Sequence, residues 1–498
     1  MPAKAVLLSV FVLLALLTVF AVTVLPEKTP PGKVPLIWVS DANPERYEQV
    51  DLFNSLNPDL HLTVDPGSWG VMKNVVQCSA GMGGDMIDAI NESNIQTYQR
   101  AGILLDITEE AGAMGFGPET LAPSVRPTVM AEVLNEKGEL EERQFTYPAN
   151  VYHSFIYYNK NILDKLGVPY PPRDLTWEKY IELAQQLTIT RPDSSIPEVF
   201  GAAGAGYWPL VWNYGGDAFN ADGTRCTIGE KPYINAAIFL HRLYYDFKVE
   251  PTPVEKAGVA SRGGFGTGYL NWFGEGRVAL FWGSRYSLIQ LRRFQAEQRE
   301  ARAEYLKRHP DAKPDEGPQV IRFGCSLIPR FENGERSVPF GARCSGINAQ
   351  GRHLKEALRA LRFLSTPEYS ETINRGADSK PGNVAYNRIE LFRNPDFPGE
   401  DDVHEVALES LPLGRLPRRS HFLTNAALSR ITSAANGKMI ADPKLTPEEI
   451  ATIWREAQAE ADREILTNIQ RDRKLRKIYD ILLAQGAEPI RLHEELEP

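Results

Sequence analysis

The chain has no excess of basic charge: 55 Lys and Arg against 64 Asp and Glu leave a formal charge of −9 and a pI near 5.6. Nucleic-acid binding draws its affinity from cations that release counterions from phosphates, so no DNA or RNA partner is expected. Cysteine is scarce, at four residues, and no two have CxxC spacing, which argues against a zinc or dithiol site. The eight histidines are scattered without HExxH, so neither a metal nor a cofactor is expected. GxSxG and GxxxxGK[ST] are absent, which removes the nucleophile elbow and the phosphate loop. The glycine clusters GMGG at 81–84 and GGFGTG at 263–268 do not replace them. The first follows a helix pattern rather than a strand, and the second lacks a Lys and reads as a flexible loop. No segment points to the opposed carboxylate pair of a glycoside hydrolase. Glu109 and Glu110 sit in a polar helix context and read as a solvated face. A mean hydropathy of −0.31 excludes a polytopic membrane protein.

One long apolar run is present, AVLLSVFVLLALLTVFAVTVL at 5–25, with no charge in it. At ~1.5 Å per residue it spans ~30 Å, a hydrocarbon core. Lys4 precedes it, so the chain after it is expected outside the cytoplasm. It reads either as a signal peptide cut after Ala21 or as an uncleaved anchor. The length of the run and the Pro-rich linker at 26–35 favour the anchor. No cysteine follows, so no lipid-modified N-terminal Cys is expected.

The remaining length exceeds a single core, which usually stops growing near ~250–300 residues, so two or three domains are expected. Strand and helix patterns alternate from Leu36 onward. Strands are expected at 36–40, 60–65 and 86–90. Helices are expected at 44–56, with Tyr47, Val50, Phe53 and Leu56 on the apolar face, at 71–80 and at 95–101. This βαβ rhythm predicts an α/β chain with mostly parallel, doubly wound sheets. Thr176 N-caps a helix whose face is Trp177, Tyr180, Ile181, Leu183, Ala184 and Leu187. The stretch 291–316 is a charged, solvated helical excursion, 383–391 a crossing segment, and 466–498 a charged helical tail. Around the turn dipeptide Asn333-Gly334, Cys325 and Cys344 come out nearly opposite, which predicts a hairpin with a cross-strand disulfide, two buried free thiols being the alternative. Cys78 and Cys226 are expected to stay thiols.

Aromatic residues carry the functional signal. Trp69, Tyr152, Tyr207, Trp208, Trp212, Tyr214, Trp282 and Tyr286 fall at strand ends or just after them. Ligands of open α/β sheets bind beyond the carboxyl ends of the strands. Aromatic faces there suit sugar C–H faces, while polar side chains bind the hydroxyls. Core packing is the competing reading for each ring.

The order of segments resembles the extracellular solute-binding proteins of ABC importers, the carbohydrate-binding family that includes maltose-binding protein. PLIWVSDANPERYEQVDLFNSLNPDLHLTVD resembles the family's opening strand–helix–strand, and SAGMGGDMIDAINESNIQTYQRAGILLDIT the turn and strand that follow. FTYPANVYHSFIYYNKNILDKLGV is similar to the crossover into a second lobe, and TWEKYIELAQQL to the helix after it. YLNWFGEGRVALFWGSRY and FGARCSGINAQGRHLKEALRALRFLSTPEYSE complete six motifs in family order. The resemblance implies a periplasmic-binding-protein type II fold: two α/β lobes, hinge crossovers, and a ligand closed between them. It divides the chain into 1–33, a targeting segment; 34–149 with 344–382, lobe 1; 150–340 with 386–465, lobe 2; and the tail at 466–498.

It also implies ligand contacts from Asp41, Asn91, Glu92 and Ser93 in lobe 1, Tyr152 and His153 in the crossover, and Tyr207, Trp208, Arg285 and Tyr286 in lobe 2. Gly84 stands where the family usually has Pro. Tyr152 stands where maltose binders carry an acid, and Arg285 where a ring is frequent, which suits a ligand bearing carboxylate or sulfate. The implied function is capture of a sugar outside the cytoplasmic membrane by a monomer that delivers it to ABC permease subunits, with no catalysis. A membrane-anchored sensory module and an exported carbohydrate-active enzyme are the alternatives.

Overall fold

The computed structural model describes residues 29–194, 196–257 and 268–490, together with Leu14. The rest of the apolar run at 5–25, the position after Ala21, most of the glycine-rich loop at 263–268 and the last eight residues lie outside them. Among the described residues no helix is long and apolar enough to cross a membrane.

The chain opens with β1 (Val34–Val39), α1 (Pro44–Leu56), β2 (Leu60–Asp65), α2 (Val71–Ser79), β3 (Met86–Ala89) and α3 (Glu92–Arg100). β2 and β3 flank β1 in parallel, with Val34 opposite Leu60 and Trp38 opposite Met86. Asn43 caps α1 by accepting from the Glu45 backbone N–H, and Pro44 fits the first turn, where no donor is needed. The buried face of α1 is Arg46, Gln49, Val50 and Phe53, so only Val50 and Phe53 of the stripe read from the sequence are in it. Tyr47 and Leu56 are about half exposed, because the helix turns a guanidinium and an amide inward. Gly84 precedes β3, and a Cβ there would lie 2.6 Å from Val39 Cγ2. That contact accounts for glycine at this position.

A hairpin follows, β4 (Met130–Leu134) and β5 (Leu140–Gln144), then β6 (Thr146–His153) and β7 (Phe155–Asn159). The chain passes from one sheet to the other between β6 and β7. Next come α4 (Trp177–Leu187), β8 (Phe200–Ala203), α5 (Tyr207–Asn213), α6 (Lys231–Tyr245), β9 (Val278–Gly283), α7 (Ser287–Arg308) and β10 (Phe323–Ser326). The second sheet runs β10-β7-β9-β8. Thr176 caps α4 by accepting from Lys179 N at 3.2 Å, and five of the six expected residues of its face are buried, Ile181 only partly. α7 buries Leu288, Leu291 and Phe294 and then projects as a charged rod.

β11 (Val338–Ile347) crosses back and pairs antiparallel with both β6 and β3. The first sheet therefore runs β12-β11-β3-β1-β2, with β6 also on β11 and β12 being Gly414–Arg415. Helices α8 (Leu354–Phe363), α9 (Pro367–Gly376), α10 (Asp401–Glu409), α11 (Asn425–Ala441), α12 (Pro447–Arg471) and α13 (Arg473–Ala484) complete the chain. Lys380 makes a third crossing: its N–H and C=O pair with those of Val151 at 3.1 and 2.8 Å. The pairing thus falls before the expected 383–391, which instead holds a short turn and the start of a short helix. Separate apolar clusters lie under the two sheets.

The expected disulfide does not form. Asn333-Gly334 does sit in a turn, with Gly334 N–H donating to Phe331 O, but that turn joins two sheets rather than two paired strands. Cys325 on β10 faces Tyr157 of β7, and Cys344 on β11 faces Ala89 of β3. All four cysteines are buried thiols.

Candidate functional site

β1 and β3 run parallel and end on one edge of the first sheet, which places Asp41 and Asn91 there. Asp41 is not open to a ligand on all sides. Its Oδ1 accepts from Arg46 Nε and Arg343 Nη1, both at 3.2 Å. Burial opposes its charge, but the two guanidinium groups outweigh burial and hold its carboxyl below the usual range. Behind it Asp88 is fully buried and saturated. Trp38 Nε1 and Ser345 Oγ donate to one oxygen at 2.7 and 2.5 Å; Ser40 Oγ and Arg343 Nη1 donate to the other at 2.6 and 3.3 Å. Arg46 also reaches Asp378 at 2.8 Å. Asn91 is exposed and its side chain caps α3 by accepting from Asn94 N–H. Ser93 lies in the first turn of that helix, and the Glu92 side chain lies outside the described residues.

In the second lobe a hydrogen-bond relay positions the loop after β8. Trp282 Nε1 donates to Tyr180 Oη at 2.9 Å, and that hydroxyl donates to Glu250 at 2.9 Å. Glu250 then accepts from Gly204 and Ala205 N–H at 2.8 and 3.2 Å. Burial pushes its carboxyl up to about 7 against these hydrogen bonds. The loop delivers Tyr207 and Trp208 at the start of α5. Tyr207 donates to Tyr233 O and stacks on Trp454, while Trp208 stacks on Trp212. Both are partly buried. Tyr286, after β9, meets the edge of Tyr152 on β6, with ring centroids 6.1 Å apart. That contact joins the crossing strand to the second lobe.

Two candidates are withdrawn from any cleft. His153 is 1% exposed, stacks on Phe340 and pairs through Nδ1 with Lys380 Nζ at 2.9 Å. Burial and the neighbouring lysine keep it neutral, well below the usual histidine pKa. Arg285 is also 1% exposed. It donates to Ser379 O at 2.6 Å and Asn374 O at 2.7 Å and lies 4.3 Å over Phe392. It braces the third crossing rather than waiting for an anion. Ala377 and Ser379 there have φ of 57° and 65°, left-handed conformations that cost non-glycine residues ~1–2 kcal/mol each. Burial, with Arg292 close by, lowers the Arg285 pKa to about 9.

The lobes also meet along a seam. Gln96 joins Ser420 O and Asn425 N–H; Arg100 donates to His421 O at 2.7 Å; His421 Nε2 lies 2.9 Å from Glu132. Beside the seam lies a cavity of about 1220 Å³. Its walls are α3, Arg126, β4 and the β12 strand of the first sheet, the segment 416–421 after it, Ala221 and Asp222 from the second lobe, and α13. None of the ten candidates is among its described lining residues.

Arg343, Arg46, Asp88, Glu250 and the seam were not found by sequence reasoning. For Glu250 and Arg343 no local motif exists. For Arg46 the signal was a charge on the inner side of a capped helix.

Parallel strand ends on both lobes and three crossings define the two-lobe fold of a binding protein. The chain belongs to the bacterial extracellular solute-binding protein family, whose profile matches residues 40–371. It is a binding protein of extracytoplasmic type, not an enzyme. No curated protein sequence matches it. Among solved structures it is similar to the ABC substrate-binding protein Lmo0181 from Listeria monocytogenes in complex with cycloalternan, at 19% identity and TM-score 0.64, covering 86% of this chain and 98% of that one. A maltotriose-bound MalE domain from Bdellovibrio bacteriovorus is 15% identical at TM-score 0.62, covering 86% and 100%. A solute-binding protein from Thermotoga lettingae bound with α-D-tagatose is 16% identical at TM-score 0.65, covering 86% and 99%. At these identities the likeness is one of fold.

Proposed function

We propose that the chain is the sugar-capturing component of an ABC importer, working outside the cytoplasmic membrane as a monomer and passing its ligand to permease subunits. The observation that carries this reading is the family match across both lobes, together with rings placed at the strand ends. Asp41, Tyr152, Tyr207, Trp208 and Tyr286 are its ligand contacts, with Asn91, Glu92 and Ser93 at the first lobe's edge. A sugar touching both lobes favours the closed arrangement by its differential affinity. The run at 5–25 serves as an uncleaved anchor that keeps the binder near its permease. The domain limits follow the division implied by the family resemblance.

A glycan panel tests this. One or a few saccharides should raise the melting temperature and be recovered unaltered. Release of a product, or no shift with any saccharide, contradicts it.

A further inference from the structure

The interlobe cavity holds none of the proposed sugar contacts, yet elements of both lobes wall it, so a molecule there would touch both. At about 1220 Å³ it exceeds the ~300–1,000 Å³ typical of small-ligand pockets and has room for several sugar rings. Its charge is unlike that of the chain. Five arginines and one lysine line it against four carboxylates, a surplus of two in a chain of net charge −9.

Three of those four carboxylates are already engaged. Glu132 is bonded to His421, Asp222 to Thr224, and Asp472 caps α13 through the N–H groups of Lys474 and Leu475. Four of the six cations are engaged as well. Arg100 donates to His421 O at 2.7 Å, Arg419 to Pro127 O at 2.8 Å and Arg418 to Phe219 O at 3.5 Å, and Arg415 reaches Asp217 at 3.0 Å. The side chains of Arg126, before β4, and Lys474, on α13, form no hydrogen bond or ion pair among the described residues. Leu134, Leu475 and Leu482 add apolar surface to the lining.

We infer that this cavity takes an anionic saccharide, one bearing carboxylate or sulfate groups, with Arg126 and Lys474 as its charge contacts. The inference rests on the reading that the chain binds a saccharide, and it adds a second saccharide site, apart from the contacts proposed above, together with the charge that site selects. Guanidinium and ammonium groups pair with either anion, and such pairs weaken as salt screens them.

Calorimetric titrations with trigalacturonate, sulfated galactotriose and neutral galactotriose test it, using the wild type and an Arg126→Ala/Lys474→Ala double variant. Both side chains are exposed, so folding is undisturbed. At least one anionic trisaccharide should bind about tenfold tighter than the neutral one at low salt, lose that advantage at high salt, and weaken about tenfold in the double variant. Binding of a neutral sugar without either anionic probe, or anionic binding unchanged in the double variant, overturns the inference and leaves the importer reading standing. Failure of every saccharide, including the wider panel, overturns both.

Discussion

Arg285→Met separates a structural arginine from a ligand-binding one. The wild-type side chain satisfies two buried carbonyls, Ser379 O and Asn374 O, at 2.6 and 2.7 Å. A buried carbonyl left without a donor costs ~1–3 kcal/mol. Loss of the cation over Phe392 adds ~1–2 kcal/mol. Against this, the variant no longer buries a charge that lacks a carboxylate at hydrogen-bond distance, which recovers a few kcal/mol. The balance is a destabilisation of about 3 kcal/mol, concentrated in the left-handed turn that leads into the crossing at Lys380. Urea unfolding followed by tryptophan fluorescence reads the loss. Saccharide titration of the folded variant should give near wild-type affinity. An unchanged urea midpoint combined with lost binding would refute the reasoning and return Arg285 to the ligand.

Glu250→Gln tests the relay behind the β8 loop. The native carboxyl titrates near 7 against 4.5 for the free group, so between those values the folded state holds a proton that the unfolded state has released. Wild-type stability therefore falls as pH rises through that window, by up to about 3 kcal/mol, while the amide does not titrate. Unfolding at about pH 5 and about pH 8 should show the variant gaining on the wild type at the higher pH; a pH-independent difference contradicts the burial argument. Asp41→Asn removes a carboxylate shared by two guanidinium groups and should cost about 2 kcal/mol at neutral pH. Because the native pKa is depressed, that wild-type advantage should fade in acid, as the carboxyl protonates; the same urea assay across acidic pH checks it. For the cysteines, thiol titration without reductant should find none reactive in the native protein and four after denaturation. Two after denaturation would mean that a disulfide exists.

The repeating units of the fold were legible because local signals agreed. The limits of α1 and β2 follow from Pro44, the apolar spacing and the alternation of LHLTVD. What failed was long-range. Asn333-Gly334 is a sound turn signal, yet a turn does not reveal whether the strands beside it pair with each other or with strands far along the chain. β10 pairs with β7 and β11 with β6 and β3, so Cys325 and Cys344 part company. Position after a strand was also an incomplete guide to exposure. Tyr152 and Tyr286 meet as rings at the crossing, whereas their neighbours His153 and Arg285 turn inward. A one-residue step along a strand reverses the face, and sequence alone does not say which face a crossing strand turns to the ligand. Glu250 was invisible for a plainer reason: its partners Tyr180, Gly204 and Ala205 are 45 or more residues away.

The most direct test of the account is a titration of the full chain against a saccharide panel, with small-angle scattering of the same samples. A saccharide that binds, is recovered intact, and reduces the radius of gyration is the predicted result, with both binding and compaction weakened in Trp208→Ala. Saturable binding with no compaction, or conversion of the saccharide to product, contradicts a two-lobe capture protein.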